Sequence, residues 1–195
     1  MSNQQHPRCM PPKSTRLHLS DDEFHQVLLI IKEESRLLDL YDVVRVISYT
    51  GIRSRELSKL RWADVDIAKS RIAVPSKTLY KRYVPFGPKT LQVLEARRVR
   101  KPASEFVLGE SPTGLLGRIS RQLRAVAEQA GIGPITLSII RCTFFERLVS
   151  AGACIQSLGL ISGYRTAHLT TKFFLPNEQV YKQAVRDQAR IEEQE

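Results

Sequence analysis

One pair of segments in this 195-residue chain has the composition of β-strands joined in a hairpin. The segments are RIAVP at 71–75 and KRYVPF at 81–86, and a short basic turn separates them. β-Branched and aromatic residues favour pleated strands, and so short a connection allows an antiparallel pair. Most of the remaining sequence has helical character. The chain is therefore predicted to be an α+β protein, mostly helical, with a small antiparallel β-sheet.

Helix start and stop signals divide the rest of the chain. Ser20 is predicted to cap the first helix, with Glu23 closing a capping box, and Gly51 is predicted to end the second helix. The segment EFVL at 105–108 is a candidate third strand. Helices are predicted over about 20–31, 39–49, 53–60, 88–98, 115–130, 135–152, 154–161, 167–174 and 177–191.

Positive charge is concentrated in one part of the chain. Residues 53–101 hold 14 lysines and arginines against four acids, a net charge of +10, and the rest of the chain is neutral. Such segregation is typical of a surface that faces a polyanion. Nucleic acid is therefore favoured as a partner over a merely solvated face, although charge alone gives no sequence specificity.

Composition argues against metal-binding, secreted and membrane proteins. The three cysteines lack metal-type spacing and the four histidines lie far apart, so neither a metal nor a cofactor is expected. No apolar run is long enough to span a membrane, and the N-terminus lacks a signal peptide, which predicts a cytoplasmic protein. Residues 1–16 are predicted to be a flexible basic tail, and 17–195 a single folded domain.

Three segments together resemble the catalytic domain of the tyrosine recombinase, or phage integrase, family. TGIRSRELSKLRWADVDI at 50–67 resembles its first signature box, T-G-x-R-x-x-E-L-x-x-L-x-W-x-D. SKTLYKRYVPFG at 76–87 resembles its β-hairpin, and SIIRCTFF at 138–145 its second box. The similarity extends over roughly 17–190 and implies that family's mostly helical domain with its small sheet.

The resemblance implies a chemistry for particular residues. In this family a tyrosine hydroxyl attacks a DNA phosphodiester without a metal, and a second strand reverses the step. Arg53 and Arg141 correspond to arginines that bind the phosphate oxygens, a role that suits planar guanidinium groups. Glu56 corresponds to an acid that steadies the first arginine. Lys77 corresponds to the general acid that protonates the leaving oxygen.

The sequence departs from the family pattern at several of these positions. Ser138 stands where the second box has histidine, Cys142 follows the arginine where that box has a second histidine, and Tyr164 ends the segment that resembles the family's Leu-Gly-His. The nucleophile position is Phe174, or Phe173 in the neighbouring register. Because phenylalanine has no nucleophilic atom, we expect a DNA-binding protein that does not cleave DNA: a partner, a regulator or a remnant of a mobile element.

Three other interpretations of the sequence remain. An active recombinase is possible in principle with a displaced nucleophile, Tyr181 or Tyr164, although the surroundings of Tyr181 resemble a packing stripe. A second alternative is that Phe174 is an engineered replacement of tyrosine, against which Ser138 and Cys142 argue. The third alternative is a relic of the fold that no longer binds DNA.

The same resemblance predicts the partners. The expected ligand is double-stranded DNA in a prokaryotic cytoplasm or nucleoid. No separate N-terminal clamp domain is expected, so the DNA is predicted to be bound weakly and in a salt-sensitive manner. Other recombinase subunits are potential partners through the helix at 177–191. Trp62 is expected to anchor the core. Phosphate contacts are expected from Arg55, Lys59, Lys81, Arg82, Arg97, Arg98 and Arg100.

Overall fold

The computed structural model describes residues 17–74, 82–108 and 114–163 of the chain, and within them it is an α+β domain, as predicted. Two 3₁₀ turns, Ser35–Leu37 and Trp62–Asp64, accompany the regular elements. The helices are α1 (Asp21–Glu33), α2 (Leu38–Thr50), α3 (Ser54–Leu57), α4 (Pro88–Arg100), α5 (Leu115–Gln129), α6 (Leu137–Ser150) and α7 (Ile155–Ser162), and the strands are β1 (Val65–Asp66), β2 (Arg71–Val74) and β3 (Arg82–Pro85).

The three strands form one antiparallel sheet in the order β1-β2-β3. In the hairpin, Ile72 pairs with Val84 and Val74 with Arg82. The side chains of Ile72, Val74 and Val84 are all buried, so one face of the sheet packs on the core. Period-two alternation places Arg82 on that same face as Val84.

The predicted third strand at 105–108 is wrong. The third strand is β1, and Phe106 instead forms an isolated bridge with Arg61. The N–H of Trp62 donates to the carbonyl of Glu105, and the N–H of Val107 donates to the carbonyl of Leu60. The segment pairs with the chain that follows α3 rather than with the hairpin.

Most helix boundaries lie within two residues of the predicted ones. The capping box of Ser20 and Glu23 is present, and Thr136 caps α6 by accepting from the N–H of Ile139. The exception is α3, which was predicted over 53–60 and spans a single turn. From Lys59 onward the backbone bonds close three residues apart, the tighter 3₁₀ pattern, and the helix ends.

Helix α2 forms the centre of the core. It packs against α1, α4, α5 and α6, and residues Leu40, Val44, Val46 and Ile47 have no exposed surface. Trp62 is half-buried and packs against this core from its edge, in agreement with an anchoring role. Among the residues that the structure describes, no helix combines the length and the apolar composition needed to cross a membrane.

Gly51 ends α2 in a conformation and a space that only glycine fits well. Its φ is +63°, in the left-handed region, and its N–H donates to the carbonyl of Ile47. A Cβ atom at this position would lie 2.5 Å from Cδ1 of Phe144 and 2.8 Å from Cζ of Phe145. The end of α2 therefore lies directly against the aromatic pair of α6.

Replacing Gly51 by alanine should lower the free energy of unfolding by about 2–5 kcal/mol. Of this, about 1–2 kcal/mol comes from the left-handed conformation and about 1–3 kcal/mol from overpacking against the two rings. Gly131 is the matched control, because its φ is +65° and a Cβ there would meet no atom within 4 Å. Urea unfolding of both variants measures the difference. Equal losses in the two variants would contradict the close contact between α2 and α6.

Candidate functional site

Three arginines from three different elements bind the carboxyl end of α7. The carbonyl oxygens of residues 161–163 each accept a hydrogen bond from an arginine, and that of Ile161 accepts it from Arg82. Nη2 of Arg141 lies 2.9 Å from the oxygen of residue 162, and Nη2 of Arg53 lies 3.0 Å from that of residue 163. The last carbonyls of a helix lack partners within the helix and carry partial negative charge. This end of α7 therefore gathers the three cations in one place.

Arg53 is held at the start of α3 by Glu56. The carboxylate accepts two bonds from this arginine: Oε2 from the backbone N–H and Oε1 from Nη1, both at 2.9 Å. The arginine is the N-cap and Glu56 the third residue of the helix, so the spacing of the first box itself creates the contact. The side chain of Arg53 is 39% exposed, which leaves it open to a ligand from solvent.

Arg141 is buried in the middle of α6 and reaches the end of α2. Its Nε donates to the carbonyl of Gly51 at 2.6 Å, across 90 positions of sequence. Its guanidinium carbon lies 4.8 Å from the centre of the Phe145 ring. Because Gly51 precedes Arg53 by two residues, this bond brings the second box to the first.

Arg82 belongs to the same cluster, which corrects its assignment as a surface contact to DNA. Its side chain is 11% exposed, and Nη2 lies 2.5 Å from Oε2 of Glu56. Burial lowers the pKa of Arg82, as does the neighbouring charge of Arg53, while Glu56 acts in the opposite direction. The hairpin arginine therefore faces the other arginines rather than solvent.

Ser138 occupies an exposed position in the first turn of α6, one helical turn before Arg141. Spacing of three residues places the two on neighbouring positions of one helix side. Several predicted site residues lie outside the described residues: Lys77, Lys81, Tyr164 and Phe174. The helix expected at 177–191 lies outside them too, as do the other residues of 164–195. Their assignments stay predictions.

Arg97 was expected to contact phosphate, and its burial corrects this expectation. Its side chain is 4% exposed, its Nε donates to the carbonyl of Val107 at 2.9 Å, and its Nη1 bonds Asp39 and Asp42. Arg100, one-third exposed, and Arg118 extend the network with further bonds to Asp42 and Asp39. Burial acts to raise the pKa of Asp39, but the bonds from Arg97 and Arg118 outweigh it and the pKa is lowered. Arg97 thus joins α2 to α4.

Three other expected phosphate contacts lie on the surface of the described residues. Arg55 and Lys59 are exposed on and just after α3, within the first box. Arg98 is exposed on α4, with its guanidinium carbon 5.2 Å from the centre of the Trp62 ring. These three side chains keep the basic surface that the charge distribution indicated.

Sequence reasoning assigned Arg82 to the DNA-contacting surface rather than to this cluster, and it missed Gly163. The alternation of the strand was a usable signal for the first, because it puts Arg82 on the face of buried Val84. Gly163 has a φ of +64°, and a Cβ there would lie 3.1 Å from Cδ of Arg82 and 3.4 Å from Nη1 of Arg53. No local signal distinguished this glycine from an ordinary helix stop.

The fold agrees with that of known proteins. Residues 18–179 match the model of the phage integrase family. The chain belongs to this family. Among its relatives, tyrosine recombinase XerD of Listeria innocua is 31% identical over 86% of this chain and 61% of its own length. Tyrosine recombinase XerC of Roseiflexus sp. is 24% identical over 96% of this chain and 61% of its own length.

Two solved structures show that the fold is shared. The Tn1549 transposon integrase in complex with transposon right end DNA superposes with a TM-score of 0.76 at 18% identity, over 91% of this chain and 68% of that one. The catalytic domain of bacteriophage HP1 integrase superposes with a TM-score of 0.65 at 20% identity, over 87% of this chain and 93% of that one. The chain spans about half to three fifths of the length of the curated relatives that it matches.

Replacing Arg97 by alanine should destabilise the fold by about 3–5 kcal/mol, because Asp42 would remain as a buried charge with one partner fewer. The adjacent Arg98 is the control, since its exposed position predicts a change within about 0.5 kcal/mol. Chemical unfolding of both alanine variants measures the contrast. A larger loss for Arg98 than for Arg97 would contradict the assignment of Arg97 to the core.

Proposed function

We propose that this phage integrase family chain binds double-stranded DNA, holds one backbone phosphate with Arg53 and Arg141, and does not cleave it. The proposal rests on one observation. These two arginines come from distant sequence boxes, yet they donate hydrogen bonds to the consecutive carbonyls of residues 162 and 163 at the end of α7. Because the carbonyls of residues 162 and 163 belong to consecutive peptide units, we expect both guanidinium groups to reach the oxygens of a single phosphate.

The chemistry of the cluster suits a phosphodiester. Guanidinium groups form forked, charge-assisted bonds to phosphate oxygens and stay charged at all physiological pH values. Glu56 offsets one positive charge, but Arg53, Arg82 and Arg141 together leave the cluster with a net charge of +2. An anion is therefore the ligand that such a site favours.

The basic surface supplies the rest of the affinity. Arg55, Lys59 and Arg98 are exposed on the part of the chain that carries the whole net charge of +10. Contacts of such residues to phosphates supply most of the sequence-independent affinity for DNA. The similar Tn1549 integrase is described as bound to transposon DNA, which supports the same class of ligand here.

The lack of cleavage is proposed from two positions of the sequence. Phe174, outside the described residues, aligns with the family's nucleophilic tyrosine and has no hydroxyl. Ser138 stands at a position where the family has histidine, and a serine hydroxyl is a poor proton donor or acceptor near pH 7. Both replacements support binding of DNA without its cleavage.

Covalent trapping tests the missing nucleophile. Duplexes enriched from a random pool by binding to the chain would be prepared with 5′-bridging phosphorothiolates, whose sulfur leaves without a general acid. We expect no denaturant-resistant protein–DNA adduct from the wild type and an adduct from Phe174→Tyr. On ordinary nicked duplexes, Phe174→Tyr with Ser138→His should exceed the single variant by about a hundredfold, the usual contribution of a general acid or base. Phe174→Leu is the control.

One outcome would overturn the proposal. If the wild type forms the adduct, and Tyr181→Phe or Tyr164→Phe abolishes it, the chain is an active recombinase with a displaced nucleophile. Mapping the linked residue by mass spectrometry identifies which tyrosine carries the DNA.

DNA binding has its own test. The double variant Arg55→Ala, Lys59→Ala should bind unrelated duplexes more weakly by a similar factor and reduce the slope of log affinity against log salt by about one for each lost phosphate contact. Arg36→Ala is the control, because Arg36 is 81% exposed but lies outside the basic stretch. Mobility shifts across salt concentrations give both quantities. A wild type without any salt-dependent shift would be a relic of the fold.

A further inference from the structure

The position of Arg82 is unusual for an arginine next to a hairpin turn. It is the first residue of β3 and pairs with Val74, the last residue of β2. Arginines at such places normally extend into water, and burying a guanidinium group is costly unless it is paired and hydrogen-bonded. Because its side chain is only 11% exposed, Arg82 needs bonding partners that offset the cost of burial.

The first partner is Glu56, which Arg82 shares with Arg53. One carboxylate thus receives bonds from two guanidinium groups, at 2.5 Å from Arg82 and at 2.9 Å from Nη1 of Arg53. A carboxylate paired with Arg53 alone would cancel the charge that Arg53 offers to a ligand. With Arg82 present, the negative charge is divided, and the three groups keep a net charge of +1.

The second partner is the carbonyl of Ile161 at the end of α7. Arg82 therefore connects β3 with the helix end on which Arg53 and Arg141 also bond. The missing side chain of Gly163 makes room for this, because a Cβ there would lie 3.2 Å from Nε of Arg82. One side chain thus fixes the acid, the helix end and the strand relative to one another.

We propose that Arg82 is a positioning residue of the phosphate site, which holds Glu56 and the end of α7 so that Arg53 presents its charge to a phosphate. The proposal rests on the proposed function of Arg53 and Arg141. Arg82 itself need not touch the ligand, because it acts through the carboxylate and the helix end.

The test uses inorganic phosphate as the probe at constant ionic strength. The guanidinium ¹H–¹⁵N signals of Arg53 and Arg141 are followed in the full-length chain, and the wild type should show saturable shifts. Arg82→Ala should weaken this affinity about tenfold, which corresponds to 1.4 kcal/mol. Arg71→Ala, which removes the same charge from β2 where Arg71 stacks on Tyr83, should change it less than about twofold. If Arg82→Ala fails to fold, Arg82→Gln replaces it, because glutamine is neutral and of similar length, and the same loss of phosphate affinity is expected.

Two further variants separate positioning from a general loss of structure. Arg82→Lys keeps the charge beside Glu56 and should recover most of the affinity. In a Glu56→Gln background the carboxylate charge is gone, so the effect of Arg82→Ala should fall to about threefold or less, a coupling that a double-mutant cycle measures. A structural role alone would give the same loss in both backgrounds and no recovery with lysine, and would overturn the proposal.

The wild type distinguishes failure of the phosphate site from failure of the positioning role of Arg82. If its Arg53 and Arg141 signals show no saturable shift, the phosphate site fails, and the role of Arg82 fails with it. If the wild type binds phosphate and Arg82→Ala and Arg82→Gln bind equally well, the role of Arg82 alone is overturned.

Discussion

The hydrogen bond from Nε of Arg141 to the carbonyl of Gly51 joins the two halves of the site. It forms because Gly51 ends α2 in the left-handed conformation and lets α6 approach with its two phenylalanine rings. Arg53 follows Gly51 by two residues. The direction of the chain after α2 therefore also decides where Arg53 lies. The chemistry of the site therefore depends on a backbone turn as much as on charged side chains.

Burying arginines has a cost that this fold offsets in two different ways. Around Arg97 the offset is ionic, because Asp39 and Asp42 of α2 share three arginines from α4 and α5. Arg141 donates to backbone carbonyls at the ends of α2 and α7. Carbonyl dipoles satisfy the donors of a guanidinium group without neutralising it. The first cluster therefore joins α2 to α4 and α5, and the second is the cluster proposed to bind a phosphate.

Features decided by local contacts were predictable from the sequence. The caps at Ser20 and Thr136, the stop at Gly51 and the hairpin pairing all depend on residues a few positions apart. Features decided by distant contacts were not. Arg97 and Arg98 are adjacent and chemically identical, yet one is buried because α2 offers it carboxylates and the other is exposed. Likewise, nothing local indicated that EFVL would pair with residues 60–62 instead of the hairpin.

The three arginines at the end of α7 have a thermodynamic consequence. An arginine side chain that becomes ordered loses up to about 2 kcal/mol of rotamer freedom. Here Arg53, Arg82 and Arg141 are each bonded to fixed partners on the protein itself, so that entropy is lost when the chain folds. If an anion binds there as proposed, it meets a rigid receptor, and more of its contact energy appears as affinity.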